Sequence, residues 1–153
     1  MGRCPGPVSW PGFRVVSLRF LLDTNVVSEA TRPLPNTDVL RNLQRHEDQI
    51  GIASVVWHEL LFGWERLPAS RRKADIEDYL FKVVQFMPIL PYDRTAAEWH
   101  AKERARLTVI GRTPPFLDGQ IAAIAAVNDL VLVTANRTHF EPFDRMRTED
   151  WRV

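Results

Sequence analysis

Short apolar runs alternate with longer amphipathic stretches from residue 18 onward. Residues 18–22 are apolar except for Arg19 and stop at Asp23, the pattern of a buried strand. Residues 50–53 and 130–134 read the same way, the second with Val131, Leu132 and Val133 in succession. Residues 87–90, set among prolines, predict another strand, and a short last one is expected near Met146 and Arg147. Helices fill the gaps. One covers residues 25–30 and is stopped by Arg32-Pro33. Asn36 can cap a second, to about Arg45, and Ser54 a third, over 55–66. Ser70 can cap a longer helix running through Ile76, Leu80 and Val83 to Phe86. Asp93 or Thr95 opens a helix that Gly111 is suited to end. Residues 117–127, rich in Ile and Ala, form one more. Short strands alternating with helices predict an α/β fold, a parallel β-sheet flanked by helices on both faces.

Residues 1–17 differ from the rest. Prolines and glycines crowd the first twelve positions and few residues there can pack, so the segment reads as a disordered leader or an upstream extension of the reading frame. The ordered domain is expected over 18–153. A chain of 153 residues fits one domain with a sizeable core. Cys4 stands alone, so no internal disulfide can form. No apolar run reaches the roughly 20 residues that span a bilayer, and a cytoplasmic location is expected. Net charge is +1, which neither demands nor excludes a nucleic-acid partner. Two basic clusters stand out, Arg66, Arg71, Arg72 and Lys73, and then Lys102, Arg104, Arg106 and Arg112. Each could be a solvated helix face or a set of phosphate contacts.

Three acids occupy positions where charge is costly. Asp23 ends a buried strand, the end at which open parallel sheets bind ligands, and could equally cap the next helix. Glu59 lies in a helix apolar on nearly every side, where a carboxylate needs a partner such as Arg66 or a cation. Asp118 opens the helix of residues 117–127, where it can serve the helix dipole or a site. If the three converge they repel. Two charges about 4 Å apart cost roughly 4 kcal/mol at an effective dielectric near 20. A set of carboxylates with no histidine in ligand spacing favours a hard cation, Mg²⁺ or Mn²⁺.

The run from Phe20 to Glu29, with Asp23, Thr24 and Asn25 at its centre, resembles the opening motif of PIN-domain proteins. It is most similar to the toxin ribonucleases of VapC type, including the FitB-like branch. The stretch from Ser54 to Leu60 with Gly63 resembles the second motif of that family, Leu117 to Ala123 the third, and Leu132 to Phe140 the fourth. Glu149, Asp150 and Trp151 resemble its usual ending. The resemblance implies a Mg²⁺- or Mn²⁺-dependent endoribonuclease, a homodimer, and a cognate antitoxin that blocks the site. It assigns Asp23, Glu59 and Asp118 to the metal and catalysis, Thr24 and Asn25 to support, and Asn136 to the fourth-motif asparagine. His139 departs from the pattern, because the family commonly carries aspartate there. It removes a charge and offers a nitrogen ligand.

The leading expectation is hydrolysis of an RNA phosphodiester by a metal-activated water, as the toxin of a type II toxin-antitoxin system. The alternative is a PIN-like domain that binds RNA or protein with weak or no catalysis because of His139. A DNA-processing relative fits less well, since the chain has neither large insertions nor a strong basic excess.

Overall fold

The computed structural model describes residues 17–153, so the expected leader, apart from Ser17, lies outside the described residues. The strands are β1 (Phe20–Leu22), β2 (Ile50–Ala53), β3 (Ile89–Leu90), β4 (Val131–Val133) and β5 (Thr148–Glu149). All neighbours pair parallel, in the spatial order β3-β2-β1-β4-β5. Leu22 stands opposite Ile52 on one side and Val133 on the other. Phe20, Leu21 and Leu22 are all buried although successive side chains point to opposite faces. The centre of the sheet is therefore covered on both faces, as near-continuous apolar strands require.

The helices are α1 (Thr24–Val27), α2 (Thr37–Arg45), α3 (Ser54–Glu65), α4 (Arg71–Lys82), α5 (Arg94–Val109), α6 (Phe116–Val127) and α7 (Arg137–Phe140). Three polar caps form as expected. Asn36 accepts from the amides of Asp38 and Val39, Ser70 from Lys73, and Asp93 from Ala96. Gly111 takes φ of +72° just past α5, and the Arg112 amide returns to the Leu107 carbonyl at 2.9 Å.

Several expectations are corrected. Ser54 is the first residue of α3 rather than its cap, and its hydroxyl instead accepts from the Tyr92 amide at 3.3 Å, tying α3 to the chain after β3. The helix expected over 25–30 divides into α1 and a 3-10 turn, Ser28–Thr31. The helix after Ser70 ends at Lys82, and Val84–Phe86 forms a separate 3-10 turn. The last strand is Thr148–Glu149, not Met146 and Arg147, because Leu132 pairs with Thr148. Helix α7 had no expectation attached to it. Trp151 closes the fold, buried edge-on against Phe20 at 5.2 Å.

Candidate active site

The chain order on either side of β1 reverses, since β2 lies to one side and β4 to the other. Parallel sheets open a crevice at such a reversal, beyond the carboxyl ends of the strands. Asp23 leaves β1 there and is only 8% exposed. Its carboxylate is held from three directions. The Thr24 amide donates to Oδ1 at 2.8 Å, the Thr134 hydroxyl to Oδ2 at 2.7 Å, and the Asn25 amide group to Oδ2 at 3.4 Å. Thr134, just past β4, is fully buried. Its oxygen accepts from the Asn136 amide at 3.0 Å, which leaves its own proton for Asp23. Asn25 also accepts from the Ala135 amide at 3.2 Å. One oxygen of Asp23 thus caps α1, and the other is held by Thr134 and Asn25.

Asp118 comes to the same place from the first turn of α6. Burial, and next the charge of Asp23, push its carboxyl above the usual carboxylate range, while His139 acts against them. After burial, the charge of Asp23 is the main influence that disfavours an ionised Asp118. Its position depends on the next residue. A Cβ at Gly119 would stand 2.2 Å from Nε2 of His100, so glycine lets α5 press its buried imidazole onto α6. His100 Nδ1 lies 2.8 Å from the Tyr92 hydroxyl, and its ring packs on Phe116 at 4.8 Å. Burial, and next the nearby Arg104, hold His100 below the usual histidine range.

Glu59 is half-buried on α3 and lines a cavity of about 250 Å³ with Thr24, Ser28, Gly63, Trp64 and Tyr79. It makes no hydrogen bond or ion pair with any described residue. Arg66 is not its partner, since that guanidinium lies over Phe62 at 4.9 Å. His139 reaches the site from α7, with Nδ1 at 3.5 Å from Asp118 Oδ2. Asn136 contributes its backbone amide, and its own side chain caps nothing. Thr134, Tyr92 and His100 were not among the expected site residues. The only signal for Thr134 was a hydroxyl residue directly after the apolar run of β4.

Of the basic residues, Lys73 donates to the Leu67 carbonyl, and Arg106 to Glu103 and the Pro142 carbonyl, so both hold structure together. Arg72 borders the Glu59 cavity, and Arg104 lies over Phe116 at 5.1 Å. Arg152 donates to the Ala135 carbonyl at 3.1 Å, beside the Asn25 that supports Asp23.

Among the described residues, no group of three His, Cys, Asp or Glu is arranged to hold a metal by itself. Mg²⁺ and Mn²⁺ do not require one, since such ions keep several waters and need only one or two carboxylates. Two carboxylates that repel, one of them fixed by three donors, fit that requirement.

Comparisons with known proteins agree with this arrangement. The chain is 33% identical to the tRNA(fMet)-specific endonuclease VapC of Shigella flexneri over 135 residues, covering 88% of this chain and 98% of that protein. It is 29% identical to Toxin FitB of Neisseria gonorrhoeae, covering 86% and 97%. The fold superposes on the solved FitAcB structure from Neisseria gonorrhoeae with a TM-score of 0.78 at 29% identity, covering 86% and 97% of the chains. For DNA-bound VapBC from Salmonella typhimurium the TM-score is 0.75 at 28% identity, covering 88% and 98%. The PIN domain profile matches residues 20–146, and the chain belongs to the PIN domain family.

Proposed function

We propose that this chain is a metal-dependent endoribonuclease, the toxin component of a type II toxin-antitoxin system. One observation carries the reading: Asp23, oriented by Thr134, leaves β1 at the sheet's reversal point, and its charge acts on Asp118 in the first turn of α6. The related tRNA(fMet)-specific endonuclease VapC named above supports the activity. Asp23 and Asp118 would hold Mg²⁺ or Mn²⁺, with Glu59 facing the groove from α3. The ion, when bound, supplies an activated water and offsets charge on the phosphate. Thr134 and Thr24 keep the Asp23 carboxylate from turning away. Glu59, without a partner among the described residues, is available to accept a proton or hydrogen bond from water. Arg72 and Arg104 stand where they can meet RNA phosphates.

A cognate antitoxin is part of the same proposal. The cavity beside Glu59 is walled by Leu60, Trp64, Leu67 and Leu80, so an apolar helix face can fill it while a basic side chain answers the acids. Homodimer formation is supported by the resemblance and by exposed Val109, Ile110 and Phe116 near the junction of α5 and α6. No helix among the described residues is long and apolar enough to cross a membrane. A cytoplasmic location accords with an RNA target.

The test is incubation of the purified chain with an RNA pool and Mg²⁺ or Mn²⁺, followed by sequencing of new 5′ ends. Discrete cleavage that Asp23→Asn removes supports the proposal. Full cleavage in excess EDTA overturns the metal dependence, and RNA retention without cleavage returns the reading to a binding domain.

A further inference from the structure

Phe62 is an apolar ring that the core does not use. It sits on α3, one turn beyond Glu59, and is 51% exposed. Glu59, Phe62 and Arg66 follow the i, i+3, i+7 spacing of one helix face, so the ring shares its face with a candidate site acid. The Arg66 guanidinium lies over the ring at 4.9 Å, and it makes no hydrogen bond or ion pair with any described residue. The His58 ring stands beside the phenyl at 6.1 Å. Phe116 also carries a guanidinium, that of Arg104, but His100 already packs on it at 4.8 Å as part of the wall. Phe86, 75% exposed, carries no cation among the described residues. Phe62 is thus the exposed ring that joins open surface, an unpaired positive charge and a place beside Glu59.

We propose that Phe62, braced by Arg66, is a stacking subsite for one nucleobase of single-stranded RNA flanking the cleaved bond. Every base offers a π face, and an exposed ring beside a cation takes it without reading its sequence. RNA answers both halves of the pair, a base for the ring and a phosphate for the guanidinium. Arg72, which borders the cavity beside Glu59, extends the basic character toward that acid. Bases inside a duplex stack on one another and cannot offer that face, so the subsite favours an unpaired loop or end. The inference rests on the ribonuclease reading above and adds to it the strand form of the substrate and a residue that holds it.

The test is fluorescence anisotropy with a labelled single-stranded RNA of mixed sequence, about ten nucleotides long, and with the same strand in a duplex. An Asp23→Asn background keeps the strand uncut. Phe62→Leu should weaken single-strand binding about fivefold or more, the lower end for one stacked base. Its salt slope should not change, since no charge is lost. Phe62→Trp should match or exceed the background protein. Arg66→Gln should weaken binding and lower the salt slope by about one unit. Duplex binding should not respond to Phe62→Leu. Thermal unfolding and light scattering check that each variant keeps its fold and oligomeric state. Equal single-strand affinity in the Leu and Trp variants overturns the subsite and leaves the ribonuclease reading standing. So does a Phe62→Leu variant that dissociates into smaller species, since the ring would then be buried between copies. No single-strand binding by the background protein also overturns the subsite, and if the unaltered chain fails to cut RNA the ribonuclease reading falls with it.

Discussion

The Thr134 hydroxyl donates to Asp23 Oδ2 at 2.7 Å, joining residues 111 positions apart at the ends of neighbouring strands. The bond is charge-assisted and fully buried at Thr134, where water cannot replace it. It ties the candidate site to the pairing of β1 with β4. An error in that pairing would misplace a donor as well as a strand.

Thr134→Val keeps the shape and removes the donor. We expect a loss of about 1–3 kcal/mol in stability, the usual penalty for leaving a buried acceptor short of a partner. Metal affinity should fall with it. Thr134→Ser should restore both. Denaturant unfolding and metal titration of the three proteins settle the matter, and a Val variant equal to the parent would remove Thr134 from the site.

Asp118 carries burial and the charge of Asp23 in the metal-free protein. Asp118→Asn removes the repulsion, so the apo variant should melt at or above the parent temperature at pH 7. Mn²⁺ or Mg²⁺ should raise the parent's melting temperature by mass action and leave the variant's nearly unchanged. RNA cleavage should be lost in the variant. A lower apo melting temperature would show that Asp118 stabilises the fold rather than straining it.

Gly119 and Gly63 predict opposite outcomes for the same change. Gly119→Ala drives a methyl into His100 at 2.2 Å, and overpacking of this kind costs about 1–3 kcal/mol. The strain falls next to Asp118, so cleavage should fall as well. At Gly63, in α3, an added Cβ meets nothing within 4 Å. Alanine there should stabilise by about 0.5–1 kcal/mol through the unfolded chain's entropy. Thermal denaturation of both variants distinguishes the two environments.

Tyr79, in the lining of the cavity beside Glu59, gives a pH signature. Its hydroxyl donates to the Val27 carbonyl at 2.8 Å, and burial pushes its pKa up from 10.0 to about 12. A folded pKa above the unfolded one means that stability is intact below pH 10 and drains as pH rises toward about 12. Tyr79→Phe should be less stable than the parent at pH 8, because a hydrogen bond is lost. It should also lose less of its stability than the parent does over that alkaline window. Unfolding measured at stepped pH checks the slope. Equal slopes would mean the phenol is solvated.

Local chemistry was legible in the chain. Asn36, Ser70 and Asp93 cap helices because a side-chain oxygen serves amides two or three residues away, and Gly111 ends α5 because glycine accepts positive φ. Apolar runs placed β1, β2 and β4, since strands buried on both faces admit little else. The motifs around Asp23, Glu59, Asp118 and Asn136 were enough to identify the PIN family, and the resemblance assigned the acids to a site. Short elements were less legible. The two-residue β5 holds too little pattern to fix its register, and α7 spans a single turn.

What the sequence by itself determined was therefore short-range: element type, caps, and which acids sit beside apolar segments. Tertiary structure decided which of those groups meet. Thr134 reaches Asp23 only because β4 lies beside β1, and His139 reaches Asp118 only because α7 folds back toward α6. It also left Glu59 facing a groove rather than paired with Arg66. Backbone propensities act over a few residues, whereas strand order and helix packing come from burying the whole apolar surface at once.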